Sequence, residues 1–431
     1  MKQFYAVLVN TLIANVTTSY LWFALTFWLY LETKSVLATA LVGGVYMLLV
    51  AFCGLLFGTF VDKNYKKNVM VWSSAISTGA YILGGIIYLI VGEGRLADLS
   101  SPALWLFAGV ILVGAVVENL RNIALSTTVT ILVPNDQRDK ANGLIGSVTG
   151  VAFLVTSILS GLSIGFLGLG WTVAIAVALT VVALLHILTV KIPEEKIVHD
   201  PALVGKHIDI KGARKAISKV PGLWALLFFA VFNNLIGGVF MSLMDPYGLT
   251  LFSVQLWGVM LAVTSIGFIA GGLVVAKMGL GKKPLRTLLL VNIATSVVGM
   301  FFTVRELAWV YVVGIFVYMC FIPVAQAAEQ VVLQRIVPLA KQGRVFGLKQ
   351  SMEAGAAPVT AFIIGPIAQF MVIPYMRGEG EKDFGWLLGM GEMRGIALIF
   401  IVASLIMLAA AILAFRSKAY RTITREYDKA I

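Results

Sequence analysis

Charged residues are scarce in this 431-residue chain. They make up 13% of it, against about 25% in an average soluble domain, whereas apolar residues reach 59%. The mean hydropathy is +0.94. A soluble globular domain is therefore excluded, and the composition predicts an integral membrane protein with many spans.

Cysteine and histidine are also nearly absent. Cys53 and Cys320 both fall in apolar stretches, which predicts packed side chains rather than a disulfide or metal framework. Of the three histidines, His186 lies in an apolar stretch, whereas His199 and His207 lie in a polar one. We see no catalytic or metal-binding arrangement, so the sequence predicts neither an enzyme nor a metal centre.

Charge-free windows divide the chain into segments long enough to cross a membrane, which takes about 20 apolar residues. The window 141–190 has room for two spans, with a turn expected at Gly168–Trp171. Helices are expected because lipid cannot satisfy backbone polar groups. The sequence thus predicts an all-α membrane protein with twelve spans, from these windows: 3–31, 35–61, 68–92, 99–117, 141–190, 220–244, 246–276, 287–304, 307–328, 354–376 and 395–415.

Basic residues are distributed unequally over the connecting loops. With the N-terminus inside, the cytoplasmic loops collect 25 Lys and Arg residues and the outer loops collect six. This bias predicts a multi-pass plasma-membrane protein with both termini in the cytoplasm. Anionic membrane lipids are a sufficient partner for these loops, so the net charge of +12 does not indicate nucleic-acid binding.

The chain divides into two similar halves. A polar linker at 193–220 separates a six-helix bundle at 1–192 from a second one at 221–431. Within the linker, 211–219 is either a short interfacial helix or plain linker. Five residues recur in the second half at an offset of 204, which predicts parallel repeats related by an axis along the membrane normal: Val133, Pro134, Gly143, Leu144 and Ser147 recur as Val337, Pro338, Gly347, Leu348 and Ser351.

The loop after the second span reads GTFVDKNYKK over residues 58–67. It resembles the G-x-x-x-D-[RK]-x-x-[RK]-[RK] loop of the major facilitator superfamily, and twelve spans with a basic central linker fit that family over the whole chain. The junction from Val337 to Leu348 and the exit from span one at 29–35 further resemble the macrolide-efflux branch of drug:proton antiporters.

This resemblance implies a cytoplasmic gate. A carboxylate at Asp62 can accept hydrogen bonds from exposed N–H groups at a helix N-terminus, and the family pattern places that partner at span eleven, expected to start near Arg344. Alternatively, the lysines of the loop only enforce topology. The residues assigned to the gating motif are Gly58, Asp62, Lys63, Lys66, Lys67 and Arg344.

Two positions depart from the family pattern. Gly272 corresponds to Gly58 at an offset of 214, but Ala276 stands where Asp62 would recur, so we expect the second half to lack the carboxylate latch. The macrolide-efflux branch carries an arginine near the middle of span four, and that position is Gly114 here. The role of that arginine is therefore not transferred to Arg121, which lies two turns away.

Ionisable residues within spans are costly and suggest function. Glu118 and Arg121 lie three residues apart in span four, on one helical face. The pair is either a proton-coupling site or a self-neutralising structural pair. Further proton-coupling candidates are Asp245 near the outer end of span seven, Glu329 in span ten and Glu353, which could pair with Lys349 in span eleven.

Polar and aromatic side chains within the spans are candidates for contact with a substrate. In span ten the 326–330–334 spacing predicts a polar stripe of glutamines facing water. Aromatic rings with a few polar groups suit an amphipathic ligand, although packing is the alternative for each. The candidates are Asn15, Ser19, Trp22, Phe23, Asn122, Asn233, Asn234, Gln326 and Gln330.

The sequence lacks a nucleotide-binding loop. Residues 279–283 read GLGKK, without the earlier glycine and the Ser or Thr of a phosphate-binding loop. Transport would therefore use a gradient or run downhill, and no cofactor is expected. The family resemblance implies proton-coupled efflux of hydrophobic or cationic drug-like compounds by a monomer, and hence antibiotic resistance. The alternatives are export of an endogenous solute (siderophore, lipid or metal ion) and a non-transporting receptor or scaffold.

Overall fold

The computed structural model describes residues 2–33, 35–194, 208–391 and 393–430. Helices dominate these ranges, and no strand occurs within them. Short one-turn elements lie at Asn135–Gln137 and at Ala368–Val372, the latter a π-helical turn. In chain order the helices are α1 (Lys2–Thr33), α2 (Val36–Lys63), α3 (Lys66–Val91), α4 (Glu93–Leu96), α5 (Pro102–Leu132), α6 (Arg138–Thr189), α7 (Ile210–Ser218), α8 (Leu223–Leu251), α9 (Val254–Met278), α10 (Pro284–Phe301), α11 (Ala308–Ile336), α12 (Leu339–Ile367), α13 (Ile373–Met376), α14 (Glu379–Leu388), α15 (Arg394–Arg416) and α16 (Lys418–Lys429).

Eleven helices in the described part of the chain are long and apolar enough to cross a membrane. One of them, α6, is 52 residues long and is interrupted at Gly168, whose φ of 76° and ψ of 177° are not helical. Only glycine adopts that backbone conformation without strain. The break turns α6 into two spans, as the sequence predicts for this window, and the twelve-helix membrane fold is confirmed.

Two helices extend well past their charge-free windows. Helix α5 continues beyond Glu118 to Leu132, and α12 begins at Leu339, before the charges of Arg344, Lys349 and Glu353. The expected start of span eleven near Arg344 is therefore wrong by about one turn and a half. These helices can contain charged residues because the charges are paired or hydrogen-bonded inside the protein. Such pairing lowers the free-energy cost of placing a charge in an apolar medium.

The first compact unit comprises residues 1–138, 148–216 and 337–351. Its apolar core is formed by side chains of α1, α3, α5 and the second half of α6, among them Tyr20, Trp28, Phe107 and Val173. The unit also contains the first half of α12. A helix end encoded in the second half of the sequence thus belongs to the unit formed mainly by the first.

The second compact unit comprises residues 139–147, 217–336 and 352–431. Its core is rich in aromatic rings, and Phe240 stacks on Phe400 with ring centroids 4.8 Å apart. The start of α6 belongs to this unit. The predicted division of the chain at 193–220 stays a prediction, because each compact unit takes in a segment from both halves of the sequence.

Parts of the central linker are described. Residues 195–207, with His199 and His207, lie outside the described residues, as does Lys34. Helix α7 confirms a helix near 211–219; its position at a membrane surface stays a prediction. The chain then enters α8 at Gly222, where φ is +87°.

Helix α16 packs against the second unit. A Cβ at Gly222 would lie 2.7 Å from Cγ1 of Ile423, so the two chain segments are in close contact. The Arg335 Nη1 donates to the Tyr427 hydroxyl at 2.8 Å, and its guanidinium lies 4.6 Å from the centroid of that ring. Helix α16 is thus an integral part of the unit.

Candidate functional site

The carboxylate of Asp62 ends α2 and binds the beginning of α12 with three hydrogen bonds. Its Oδ1 accepts from the Gly343 N–H at 2.7 Å, and its Oδ2 accepts from the Arg344 N–H at 3.1 Å and from Nε at 3.0 Å. All three residues are buried. The sequence therefore predicted the right two partners, Asp62 and Arg344.

The donors to Asp62 are not the exposed N–H groups of the first helical turn. They lie four and five residues inside α12 and become accessible because the two helices approach closely. A Cβ at Gly343 would lie 2.5 Å from Asp62 Oδ1 and 2.6 Å from the Gly58 carbonyl oxygen. Gly54 and Gly347 are in similar contact one turn further on. Small residues at such spacing let helix backbones approach one another in a membrane.

Asp209 is a functional candidate that sequence reasoning missed. Its Oδ2 lies 2.6 Å from Nη1 of Arg344, and its Oδ1 accepts from the Gly212 N–H at 3.0 Å, as an N-cap of α7 does. The Asp209 N–H in turn donates to the Thr59 hydroxyl at 3.1 Å. One guanidinium is thus held by two buried carboxylates. We name Asp62, Asp209, Gly343 and Arg344 the latch.

The lysines of the opening loop have other partners. Lys66 Nζ lies 3.0 Å from Glu194 Oε1, and its N–H donates to Oε2 of the same carboxylate at 2.8 Å. Lys67 Nζ donates to the Leu188 carbonyl at 2.9 Å. These contacts join α3 to the end of α6 and to the segment that follows it, whereas Lys63 is half-buried.

The second compact unit has a carboxylate contact of its own. Asp139, at the start of α6, accepts from the Leu280 N–H through Oδ2 at 3.1 Å. With the 204-residue offset, Asp139 corresponds to Gly343. The second half of the sequence supplies no carboxylate to this contact, as Ala276 indicates, because the acid comes from α6 in the first half of the sequence. This contact has one hydrogen bond and is half-buried, so it is the weaker of the two.

Glu118 and Arg121 form a buried ion pair on α5, with Nε and Oε1 2.7 Å apart. The Arg121 Nη1 donates to Asn10 on α1, and its Nη2 donates to Ser74 on α3. Asn10 also donates to the Ala183 carbonyl of α6 at 2.7 Å. The ion pair predicted from the i, i+3 spacing is confirmed, and it joins four helices of the first unit.

Tyr81 explains the departure at Gly114. The Gly114 backbone lies against the Tyr81 ring so closely that an added Cβ would overlap it. The Ser77 hydroxyl donates to the Gly114 carbonyl at 2.8 Å. Because the Tyr81 ring occupies the space next to Gly114, this chain cannot hold the long basic side chain of the family pattern there without repacking.

A row of two aromatic rings and two amides lies in the first unit. The Trp22 ring lies 4.7 Å from that of Tyr46, centroid to centroid. The Tyr46 hydroxyl accepts from Asn119 Nδ2 at 3.4 Å, and the Asn119 Oδ1 accepts from Gln350 Nε2 at 2.6 Å. We name Trp22, Tyr46, Asn119 and Gln350 the aromatic–amide row. Only Trp22 of these was proposed to contact substrate.

The other substrate-contact candidates of the first unit lie beside this row in sequence. Asn15, Ser19 and Phe23 on α1 and Asn122 on α5 are half-buried. Phe23 packs edge-on against Phe153 with centroids 5.9 Å apart. These positions are neither sealed in the core nor fully exposed, a degree of burial that permits ligand contact.

The candidates of the second unit are more scattered. Gln326 is exposed, Gln330 is half-buried and Gln334 is buried, where it accepts from Asn142 Nδ2 at 2.8 Å. The prediction of a glutamine stripe that faces water along its whole length is thus wrong, because the Gln334 side chain is buried in an amide pair with Asn142. Asn233 is half-buried and Asn234 is exposed, with its amide on the Ala230 carbonyl at 3.0 Å.

The remaining acidic candidates differ in burial. Asp245 is exposed and accepts from the Trp257 indole N–H at 3.0 Å. Glu329 is buried on α11 and Glu353 is half-buried on α12, as is Lys349. Within the described residues, no group of three or more His, Cys, Asp or Glu side chains is arranged to hold a metal ion.

Comparison with known proteins shows the family to which this chain belongs. The family model described as Major Facilitator Superfamily matches residues 7–361. The chain belongs to the major facilitator superfamily. As a member of that superfamily it is a multi-span membrane transporter and not an enzyme. Its resemblance to the macrolide-efflux branch is confirmed by the relatives described next.

Curated relatives of this major facilitator chain are named macrolide efflux protein A. The one from Streptococcus pyogenes is 23% identical over 371 residues, covering 83% of this chain and 87% of the relative. The one from Enterococcus faecalis is 23% identical over 323 residues, covering 72% and 94%. Both are bacterial, which fits a plasma-membrane location.

Solved structures of similar fold are transporters as well. A bacterial homologue of the iron transporter ferroportin in an outward-facing state has a TM-score of 0.69 at 13% identity, covering 97% of this chain and 100% of that chain. The proton:xylose symporter XylE has a TM-score of 0.67 at 12% identity and 96% coverage of both chains. At such identities the likeness establishes the fold of this superfamily member and nothing about its substrate.

Proposed function

We propose that this protein is a proton-coupled exporter of hydrophobic or cationic drug-like compounds, with macrolides as the first substrates to test. The observation that carries the proposal is the aromatic–amide row. Half-buried rings beside amide groups suit an amphipathic ligand that is mostly apolar with a few polar atoms. The relatives named macrolide efflux protein A support the same substrate class.

Alternating access gives the latch its role in this proposal. In parallel-repeat transporters of this superfamily, one bundle rocks against the other around a fixed site. The latch ties α2 and the linker residue Asp209 to the first half of α12 through hydrogen bonds to charged groups, which are the stronger kind. We therefore assign it the cytoplasmic gate, which must break and reform once in each cycle.

Glu118 is our first candidate for the residue that binds the coupling proton. Its charge holds Arg121, and Arg121 holds α1 and α3 through Asn10 and Ser74. A proton on Glu118 would remove the charge that pairs with this buried guanidinium and so favour rearrangement of the network. Asp245, Glu329 and Glu353 are the next candidates. The alternative, a purely structural pair, predicts that transport by Glu118 variants keeps its full dependence on the proton gradient.

Flux in proteoliposomes tests the proposal. Purified protein would be reconstituted into vesicles, and a radiolabelled macrolide or a fluorescent cationic dye would be added on one side of the membrane. Flux would be measured with a pH gradient, without a pH gradient, and with an ionophore that collapses the gradient. Gradient-driven flux is expected. Flux that ignores the gradient would refute proton coupling, and flux of neither compound would refute drug efflux and favour the endogenous-solute or receptor readings.

Orientation and assembly complete the proposal. We expect both termini in the cytoplasm, a monomeric unit and contact of the basic loops with anionic lipids. Accessibility of single cysteines introduced into the loops, probed with a membrane-impermeant maleimide on intact cells, would report the orientation.

A further inference from the structure

The bond between Asn119 and Gln350 differs in kind from the latch. Both bonds hold the first half of α12 to the first unit, six residues apart along the helix, or about 9 Å. Asp62 and Arg344 in the latch are charged and buried, whereas Gln350 is neutral and half-buried. A neutral hydrogen bond that solvent can reach has little net stability, because water or a ligand offers equivalent partners.

Asn119 is poorly satisfied as a donor. Its Nδ2 has three long contacts, at 3.4 Å to the Tyr46 hydroxyl, 3.4 Å to the Ala115 carbonyl and 3.3 Å to the Val116 carbonyl. Its Oδ1, in contrast, has a short bond of 2.6 Å from Gln350. A molecule with an oxygen acceptor next to a hydroxyl donor could bind both ends of the Asn119 amide, and its acceptor would serve Nδ2 better than these long contacts do.

The charges around the row limit the class of ligand. Glu118 is adjacent to Asn119 in sequence, but its carboxylate is paired with Arg121. The row has no carboxylate of its own, its phenol hydroxyl and amides bind neutral donors and acceptors, and its two rings lie against each other at 4.7 Å. The row thus favours a neutral, hydroxylated ring compound over a permanent cation.

We propose that Asn119 is the substrate-binding amide of this site and that Gln350 is its internal competitor, displaced when a neutral hydroxylated compound binds. This inference rests on the proposed function. Displacement would free α12 from α5 at the row while the latch still holds it at Asp62, so that substrate occupancy weakens one of two attachments of the same helix segment.

The two amides should therefore have opposite effects on binding. With Asn119→Ala, the dissociation constant for erythronolide B, the uncharged hydroxylated ring of a macrolide, should rise about three- to ten-fold, the value of one hydrogen bond. With Gln350→Ala, it should fall by about three-fold, while turnover in proteoliposomes drops because occupancy no longer changes the hold on α12. Asn142→Ala, which removes the amide pair with Gln334 in the second unit, is the matched control and should leave the dissociation constant unchanged.

Binding would be measured by tryptophan fluorescence titration of the purified full chain, with tetraphenylphosphonium as the cationic comparison. Thermal midpoints of all variants would show that each is folded; Gln350→Met would replace a misfolded Gln350→Ala. Weaker binding in both amide variants, or equal effects on the cation, would overturn the competitor role. If the wild type binds neither erythronolide B nor the cation, the proposed function fails first, and this inference fails with it.

Discussion

The guanidinium of Arg344 is held by a residue of the central linker: its Nη1 lies 2.6 Å from Oδ2 of Asp209. The same Asp209 caps α7 through the Gly212 N–H. The linker therefore belongs to the latch. The Asp209 side chain connects the linker helix α7 to α12.

Asp209→Asn should weaken the latch without dismantling it, because Arg344 keeps its bonds to Asp62. We expect a loss of about 1.5–3 kcal/mol in unfolding free energy, as for one hydrogen bond to a charged group. The thermal midpoint in detergent would measure it. Lys215→Gln, an exposed change on α7, is the control. Equal midpoints for both variants would mean that the Asp209 bond adds nothing.

Asp62→Asn should slow transport about ten-fold and leave substrate binding intact, because it removes the charge that accepts three hydrogen bonds far from the aromatic–amide row. Turnover and dissociation constant would be measured on the same preparation. Asp139→Asn should have a smaller effect, because Asp139 in the second unit accepts one half-buried hydrogen bond from the Leu280 N–H. Normal flux in Asp62→Asn would remove the gate assignment.

Gly343→Ala tests the close approach of α2 and α12. The new Cβ would overlap Asp62 Oδ1 and the Gly58 carbonyl, so we expect a loss of about 1–3 kcal/mol and reduced flux. Gly161→Ala in α6 meets open space and should be neutral or slightly stabilising. Thermal midpoints and initial rates of flux would separate the two. A harmless Gly343→Ala would contradict tight packing at the latch.

Glu118→Gln should leave flux largely insensitive to the pH gradient and should lower stability, by up to about 3–5 kcal/mol, because Arg121 stays buried without its counter-charge. Flux at several external pH values would report the coupling. Glu306→Gln is the control, since Glu306 pairs with Arg394 at 2.8 Å but is 52% exposed. If Glu118→Gln retains full proton dependence, the ion pair is structural.

Local sequence patterns predicted much of this molecule. The break at Gly168 follows from a long apolar window with clustered glycines, and the Glu118–Arg121 pair follows from the periodicity of a helix. The Asp62 contact was predicted through the family loop. In each case the deciding information lies within a few residues or in a recurring motif.

Long-range contacts were not predictable in the same way. Asn10 and Ser74 bind Arg121 from helices 111 and 47 residues away, and nothing in their local sequence indicates it. Asp209 carried one usable signal, as an acidic residue directly before a helical stretch in a basic linker. The glutamine stripe of α11 was misjudged because periodicity shows which residues share a face but does not show what covers that face.

The packing of α16 also sets a practical limit on how this protein can be shortened. A chain ending at Arg416 would expose the Gly222 turn that Ile423 covers. It would also remove the Tyr427 ring that packs against the Arg335 guanidinium. We expect such a truncation to lower the yield of folded protein in detergent.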